Sequence, residues 1–181
     1  PAEGRHILLM SGSIGCGPIR ELTEELSLRL APQQELTVVC GGNEELHAKL
    51  QKRFGDDRHM HIHGLVDNVP QLMHSADLFI TKPGGLSTTE AAACGLPMVL
   101  MDTVAGCEGH NLTFFLQRGG AVTADTPRLL ADTAMALLAD PERLWAMSDA
   151  LRSPDAQTPA EQIYDCLCRP QTRLDTAQRY A

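Results

Sequence analysis

The sequence predicts an α/β chain: a doubly wound, Rossmann-like domain on a six-stranded parallel sheet. Three observations carry that prediction. Short apolar runs alternate with amphipathic stretches in a regular beat along 181 residues. Prolines and N-capping residues stand where successive helices should begin. No internal repeat or low-complexity tract interrupts the alternation. Repeated strand–helix units feed right-handed crossovers, which lay helices on both faces of a parallel sheet. The expected strand order is 3-2-1-4-5-6.

Element by element, strands are expected at 6–11, 36–40, 59–63, 77–81, 97–101 and 121–124. Helices are expected at 18–31, 43–54, 69–75, 86–94, 109–118, 126–139, 141–152 and 159–168. Pro18, Pro127, Pro141 and Pro159 occupy first-turn positions, where a missing N–H costs nothing. Thr126, Asp140 and Thr158 precede three of them as N-caps, and Thr158-Pro159-Ala160-Glu161 spells a capping box. Residues 1–168 read as one domain, followed by a polar tail over 169–181. The chain starts at Pro1, with a strand expected within six residues, so it reads as a piece of a longer protein.

Composition narrows the function. Fifteen Lys and Arg against 23 Asp and Glu give a net charge of −8, which argues against tracking nucleic-acid phosphates. No apolar run approaches the roughly 20 residues of a membrane-spanning helix, and no signal peptide is apparent. The six cysteines (Cys16, Cys40, Cys94, Cys107, Cys166 and Cys168) include no C-x-x-C pair. They read as reduced and structural, consistent with a cytoplasmic protein.

In a doubly wound sheet, ligands bind outside the carboxyl ends of the strands, near the switch in strand order. The loops after the first, fourth and fifth strands therefore hold the candidate chemistry. The first is Ser11-Gly12-Ser13-Ile14-Gly15-Cys16-Gly17-Pro18. Its glycines let backbone approach a phosphate, yet the order is G-x-x-G-x-G and not the dinucleotide G-x-G-x-x-G. Strand two ends in Cys40-Gly41-Gly42-Asn43, without the acid that would hold an adenosine ribose. A nicotinamide dehydrogenase is thereby disfavoured, and the lack of G-K-[ST] excludes a P-loop. A tight turn without ligand stays open for this loop.

The fourth-strand loop is Thr81-Lys82-Pro83-Gly84-Gly85-Leu86-Ser87-Thr88-Thr89-Glu90. Two glycines open a helix whose first turn offers N–H donors and two or three hydroxyls, with Lys82 adding a cation. Glu90 has two readings: the far end of a Ser87-x-x-Glu90 capping box, or a carboxylate accepting both hydroxyls of a ribose. The loop after strand five, 102–111, brings Glu108, His110 and Asn111. Such groups suit polyhydroxyl recognition, where an unpaired buried hydroxyl costs about 1–3 kcal/mol; a plain polar surface loop is the alternative. His59, His61 and His63 alternate on strand three as a metal-binding H-x-H would, but packing without metal is the expectation. Trp145, Met147 and Leu151 are expected in the core.

The two-glycine loop with Lys82 and Glu90, then Gly95-Leu96-Pro97, then Glu108 and Asn111, resembles the carboxyl-terminal donor half of GT-B glycosyltransferases. It is most similar to the monogalactosyldiacylglycerol synthase and processive diacylglycerol glucosyltransferase group, with MurG more distant. The resemblance spans about residues 6–125, and the stretch from Lys82 to Glu90 is its specific part. It implies a UDP-sugar site. Backbone at Leu65 and Val66 would read the uracil; Gly12 and Ser13 would face the diphosphate from one side, and Gly84, Gly85, Leu86 and Ser87 with Lys82 from the other. Glu90 would hold the ribose, Glu108 would bind donor-sugar hydroxyls, and Asn111 would lie nearby. Where the family usually has Gln, this chain has Cys107; a thiol hydrogen-bonds poorly, so the hexose stays open.

The resemblance further implies transfer of a hexose from a UDP-sugar to diacylglycerol, without metal or other cofactor. The acceptor pocket and general base would lie on an amino-terminal domain absent from this chain. The fragment alone would therefore be inactive, and the complete protein peripheral at the inner face of the cytoplasmic membrane. A stand-alone donor subunit of a two-chain GlcNAc transferase and a UDP-GlcNAc 2-epimerase-like enzyme are the alternatives.

Overall fold

The computed structural model describes residues 5–10, 12, 17–101, 107–152 and 159–168. Along the chain run β1 (Arg5–Met10), α1 (Ile19–Ser27), β2 (Gln34–Val39), α2 (Glu44–Phe54), β3 (Met60–His63), α3 (Val69–Ser75) and β4 (Leu78–Thr81). There follow α4 (Gly85–Cys94), β5 (Met98–Met101), α5 (Cys107–Arg118), β6 (Ala121–Ala124), α6 (Pro127–Leu138), α7 (Pro141–Arg152) and α8 (Pro159–Cys168). The six strands form one parallel sheet in the order β3-β2-β1-β4-β5-β6, as the strand–helix beat predicts.

Alternation along each strand splits the core in two. Ile7 and Leu9 of β1, with Leu36, Val38, Leu78 and Ile80, face α1, α2 and α6. Leu8 and Met10, with Phe79, Met98 and Leu100, face Met73 of α3, Ala91 of α4 and Phe115 of α5. Central strands buried on both faces explain why these segments are apolar throughout.

Capping chemistry sets several helix starts. Thr126 accepts from the Leu129 N–H at 3.2 Å, and Asp140 from the Arg143 N–H at 3.0 Å. Asn43 caps α2 through the Leu46 N–H at 3.0 Å. Thr158 of the proposed capping box lies outside the described residues, as does the tail 169–181. Two helix boundaries differ from expectation by more than one residue. Helix α1 ends at Ser27 and not at 31: the Arg29 and Leu30 amides both turn onto the Leu26 carbonyl, before Pro32, whose ring disfavours helical backbone in the residue ahead of it. Helix α5 begins at Cys107, two residues early, so Glu108 joins Asn111 in the helix.

Trp145 is a correction. Met147 and Leu151 are buried, but Trp145 is 71 % exposed. Leu144, Met147 and Leu151 share the inward face of α7, and Trp145 sits about 100° round the helix from it. The histidines differ as well. β3 is an edge strand, so His63 is exposed and His61 half-exposed rather than packed beneath a helix. His61 Nε2 lies 3.3 Å from Glu35 Oε2 on β2. Partial desolvation, then the neighbouring His61 and His47, hold the His63 pKa below the usual imidazole value. Among the described residues, no group of three or more His, Cys, Asp or Glu assembles as a metal site.

Candidate functional site

A cleft of about 500 Å³ opens at the carboxyl ends of β1 and β4, where strand order reverses direction. That is the expected ligand position of a doubly wound sheet, and the volume suits a small-molecule ligand. Gly12, Leu65, Val66, Lys82, Gly84, Gly85, Leu86, Ser87 and Glu90 all line it. Segments following β1, β3 and β4 thus meet at one place. Met10, Val39, Gly41 and Val69 complete the lining. The sequence reading missed these four. The Gly41-Gly42 pair after strand two was their one visible signal, since Gly41 takes a φ of +60°.

The floor is the start of α4. Gly84 is its N-cap, in extended backbone, and contributes no side chain to cap the helix. The N–H groups of Gly85, Leu86 and Ser87 begin the helix and have no carbonyl one turn behind them to accept. They face the cleft with the positive end of the helix dipole. Gly84 and Gly85 keep the approach open. A Cβ at Gly84 would stand 3.9 Å from Lys82 Cε and one at Gly85 3.9 Å from Asn111 Nδ2, ordinary contact distances that leave the bare backbone open to the cleft.

The hydroxyls of this turn divide. Thr88 donates to the Gly84 carbonyl at 2.6 Å and Thr89 to the Gly85 carbonyl at 2.7 Å. Both are thereby withdrawn from the cleft, which corrects the expectation of two or three ligand hydroxyls; Ser87 supplies the one on the lining. The same geometry decides between the two readings of Glu90. A capping box needs Ser87 at the N-cap, but Gly84 holds that position and Ser87 is the third helical residue. Glu90 is exposed on the cleft wall, and no hydrogen bond or ion pair among the described residues engages it.

Lys82 and α5 complete the site. Lys82 Nζ lies 2.9 Å from Glu108 Oε1, each side chain about one-third exposed. The lysine stem passes over Gly12, whose φ is +68° and where a Cβ would stand 3.3 Å from Lys82 Cε. Asn111 Nδ2 donates to the Pro83 carbonyl at 3.0 Å. Glu108 and Asn111 are one turn apart, so one face of α5 grips the loop at consecutive residues 82 and 83. Neither lines the cleft itself. In this state Glu108 is committed to a lysine and Asn111 to a backbone carbonyl, so both hold the loop rather than present themselves to a ligand. Ser13 falls outside the described residues, as do 102–106; of Cys107 the backbone alone is described.

Across the cleft, Leu65 is 77 % exposed and Val66 packs partly on the core. Among the described residues no hydrogen bond uses the backbone of either, which leaves two peptide edges for a planar ring. At the end of β4, the Thr81 hydroxyl is buried without a hydrogen-bond partner among the described residues.

Comparison with known proteins places this arrangement. The family model described as Glycosyl transferases group 1 matches residues 5–140. A processive diacylglycerol beta-glucosyltransferase of Bacillus cereus (strain B4264) is 35 % identical over 166 residues, covering 89 % of this chain and 42 % of the relative. One from Bacillus mycoides (strain KBAB4) is 34 % identical over 169 residues, covering 91 % and 42 %. The chain thus spans about two-fifths of the length of these relatives. Among solved structures, Acinetobacter baumannii MurG superposes with a TM-score of 0.71 at 20 % identity, over 92 % of this chain and 50 % of that one. Anabaena HepE in complex with UDP and glucose gives 0.68 at 20 % identity, over 92 % and 49 %. At that identity the structures establish a shared fold.

Proposed function

The chain belongs to the glycosyl transferases group 1 family, and from that premise we propose that it is the donor-binding part of an enzyme moving a hexose from a UDP-sugar to diacylglycerol. One observation carries the reading. Three helix-start amides, a lysine and a carboxylate one turn further on converge on a single cleft at the switch point. Names borne by the relatives supply the acceptor class, and the UDP and glucose in the HepE structure supply the donor class.

In this reading the diphosphate lies on the amides of Gly85, Leu86 and Ser87, with Gly12 opposite and Lys82 alongside. Glu90 accepts from the ribose hydroxyls, and the Leu65–Val66 backbone pairs with the uracil edge. Glu108 serves the hexose hydroxyls, and Asn111 keeps the glycine loop in place. As the glycosidic bond breaks, negative charge grows on the departing UDP. Fixed dipoles and Lys82 meet it without a metal; each such donor is worth on the order of 3 kcal/mol at the transition state.

The acceptor pocket and the general base are assigned to sequence beyond this chain, since the relatives are more than twice its length. Residues 1–168 form the donor domain and 169–181 its tail. No helix among the described residues is long and apolar enough to cross a membrane. We place the complete enzyme peripherally on the inner membrane face, where lipid contacts belong to the other half.

A thermal-shift series with UDP, GDP, dTDP and NAD tests the donor assignment. UDP should raise the melting temperature most; equal silence from all four ends it. Glu90→Gln should weaken UDP more than 2′-deoxy-UDP. Equal weakening of the two would remove the ribose role.

A further inference from the structure

Resting on the donor reading above, we propose that Glu108 is the resident counter-ion of Lys82, and that a donor diphosphate binds by displacing it. The pair at 2.9 Å occupies the lip of the cleft, with the lysine stem across Gly12 and near Gly84. Lys82 lines the cleft and Glu108 does not, so the ion pair holds the ammonium to the start of α5. The cation that would meet a bound phosphate is therefore already paired with an internal anion.

A lysine ammonium is a point charge on a flexible stem and changes partners by rotation alone. Both side chains are one-third exposed, so their attraction is partly screened and the exchange is within reach of a diphosphate carrying more charge than one carboxylate. Once displaced, Glu108 remains at the start of α5, its carboxylate released beside the diphosphate. A sugar attached there offers hydroxyl donors to it, whereas UDP without a sugar leaves it facing phosphate oxygens. The pair thus tells donor from spent nucleotide: a nucleotide-sugar gives both partners new company, and UDP gives it to Lys82 alone.

Calorimetric titration of the 181-residue chain with UDP, UDP-glucose and uridine tests this, with melting curves confirming that each variant folds. Glu108→Gln should bind UDP about three- to tenfold more tightly than the parent, with uridine unchanged and the gain shrinking at high salt. UDP-glucose should gain less than UDP. Lys82→Met should weaken UDP, and adding Glu108→Gln to it should recover less than Glu108→Gln yields alone. Unchanged or weaker UDP binding by Glu108→Gln overturns the proposal. So does a full gain in the Lys82→Met background, which would mean simple charge repulsion. Should Glu108→Gln destabilise the chain, Glu108→Ala is read by the same criteria. Failure of the parent chain to bind UDP at all would instead overturn the donor reading, and this proposal with it.

Discussion

Asn111 on α5 donates its side-chain amide to the Pro83 carbonyl at 3.0 Å, which ties a helix following β5 to the glycine loop following β4. The carbonyl belongs to the residue just before the N-cap of α4. With the Lys82–Glu108 pair it is one of two side-chain contacts by which α5 holds the loop ahead of the free amides.

Asn111→Ala should cost roughly 1 kcal/mol of stability, the net worth of a partly buried hydrogen bond, and should weaken UDP several-fold. Asn111→Asp should be worse, because a carboxylate cannot donate and repels the carbonyl. Urea denaturation and calorimetry on the two variants check the order. Equal UDP affinity in parent and Asn111→Ala would show that the loop holds itself.

Gly12 and Gly84 separate strain from access. At Gly12 an alanine must adopt φ +68° and place its Cβ 3.3 Å from Lys82 Cε. Gly12→Ala should lose about 1–2 kcal/mol and also bind UDP more weakly. At Gly84 the backbone is ordinary extended, and a Cβ would stand 3.9 Å from Lys82 Cε. Gly84→Ala should fold as well as the parent, so its loss of UDP affinity would report the closed phosphate approach alone.

The buried Thr81 hydroxyl, with no partner among the described residues, predicts a gain. Thr81→Val keeps the shape and removes an unpaired polar group whose burial costs about 1–3 kcal/mol. Stability should stay level or rise, by up to about that amount. A clear loss in urea denaturation would mean that the hydroxyl is paired in solution.

Burial pushes the Cys40 thiol up to about 11. The folded state keeps its proton through a range in which the unfolded chain ionises, so this contribution is complete below about pH 8.5 and drains away as pH climbs toward 11. The loss should reach about 2–3 kcal/mol. Comparing denaturation at pH 7.5, 9 and 10.5 for the parent and Cys40→Ala isolates it: the difference between the two should narrow as pH rises.

Strand–helix alternation was enough to indicate a parallel sheet, because fully apolar strands leave covering both faces as the one way to bury them; the strand order followed from the Rossmann class that the alternation suggested. The spacing of Lys82, the two glycines, Ser87 and Glu90 likewise marked the cleft, since those residues are adjacent along the chain and the fold merely points them outward. Tertiary structure decided what depends on partners distant in sequence. The register of α4, a local matter, put Gly84 and not Ser87 at its N-cap and turned two threonine hydroxyls onto carbonyls four residues back; tertiary structure made Glu108 and Asn111 spend their polar groups on residues 82 and 83. It also left Trp145 in solvent, one step round a helix whose buried face was already filled. A local pattern states which groups a segment carries; which of them remain unspent is settled by neighbours that the chain brings back from 20 or 30 residues away.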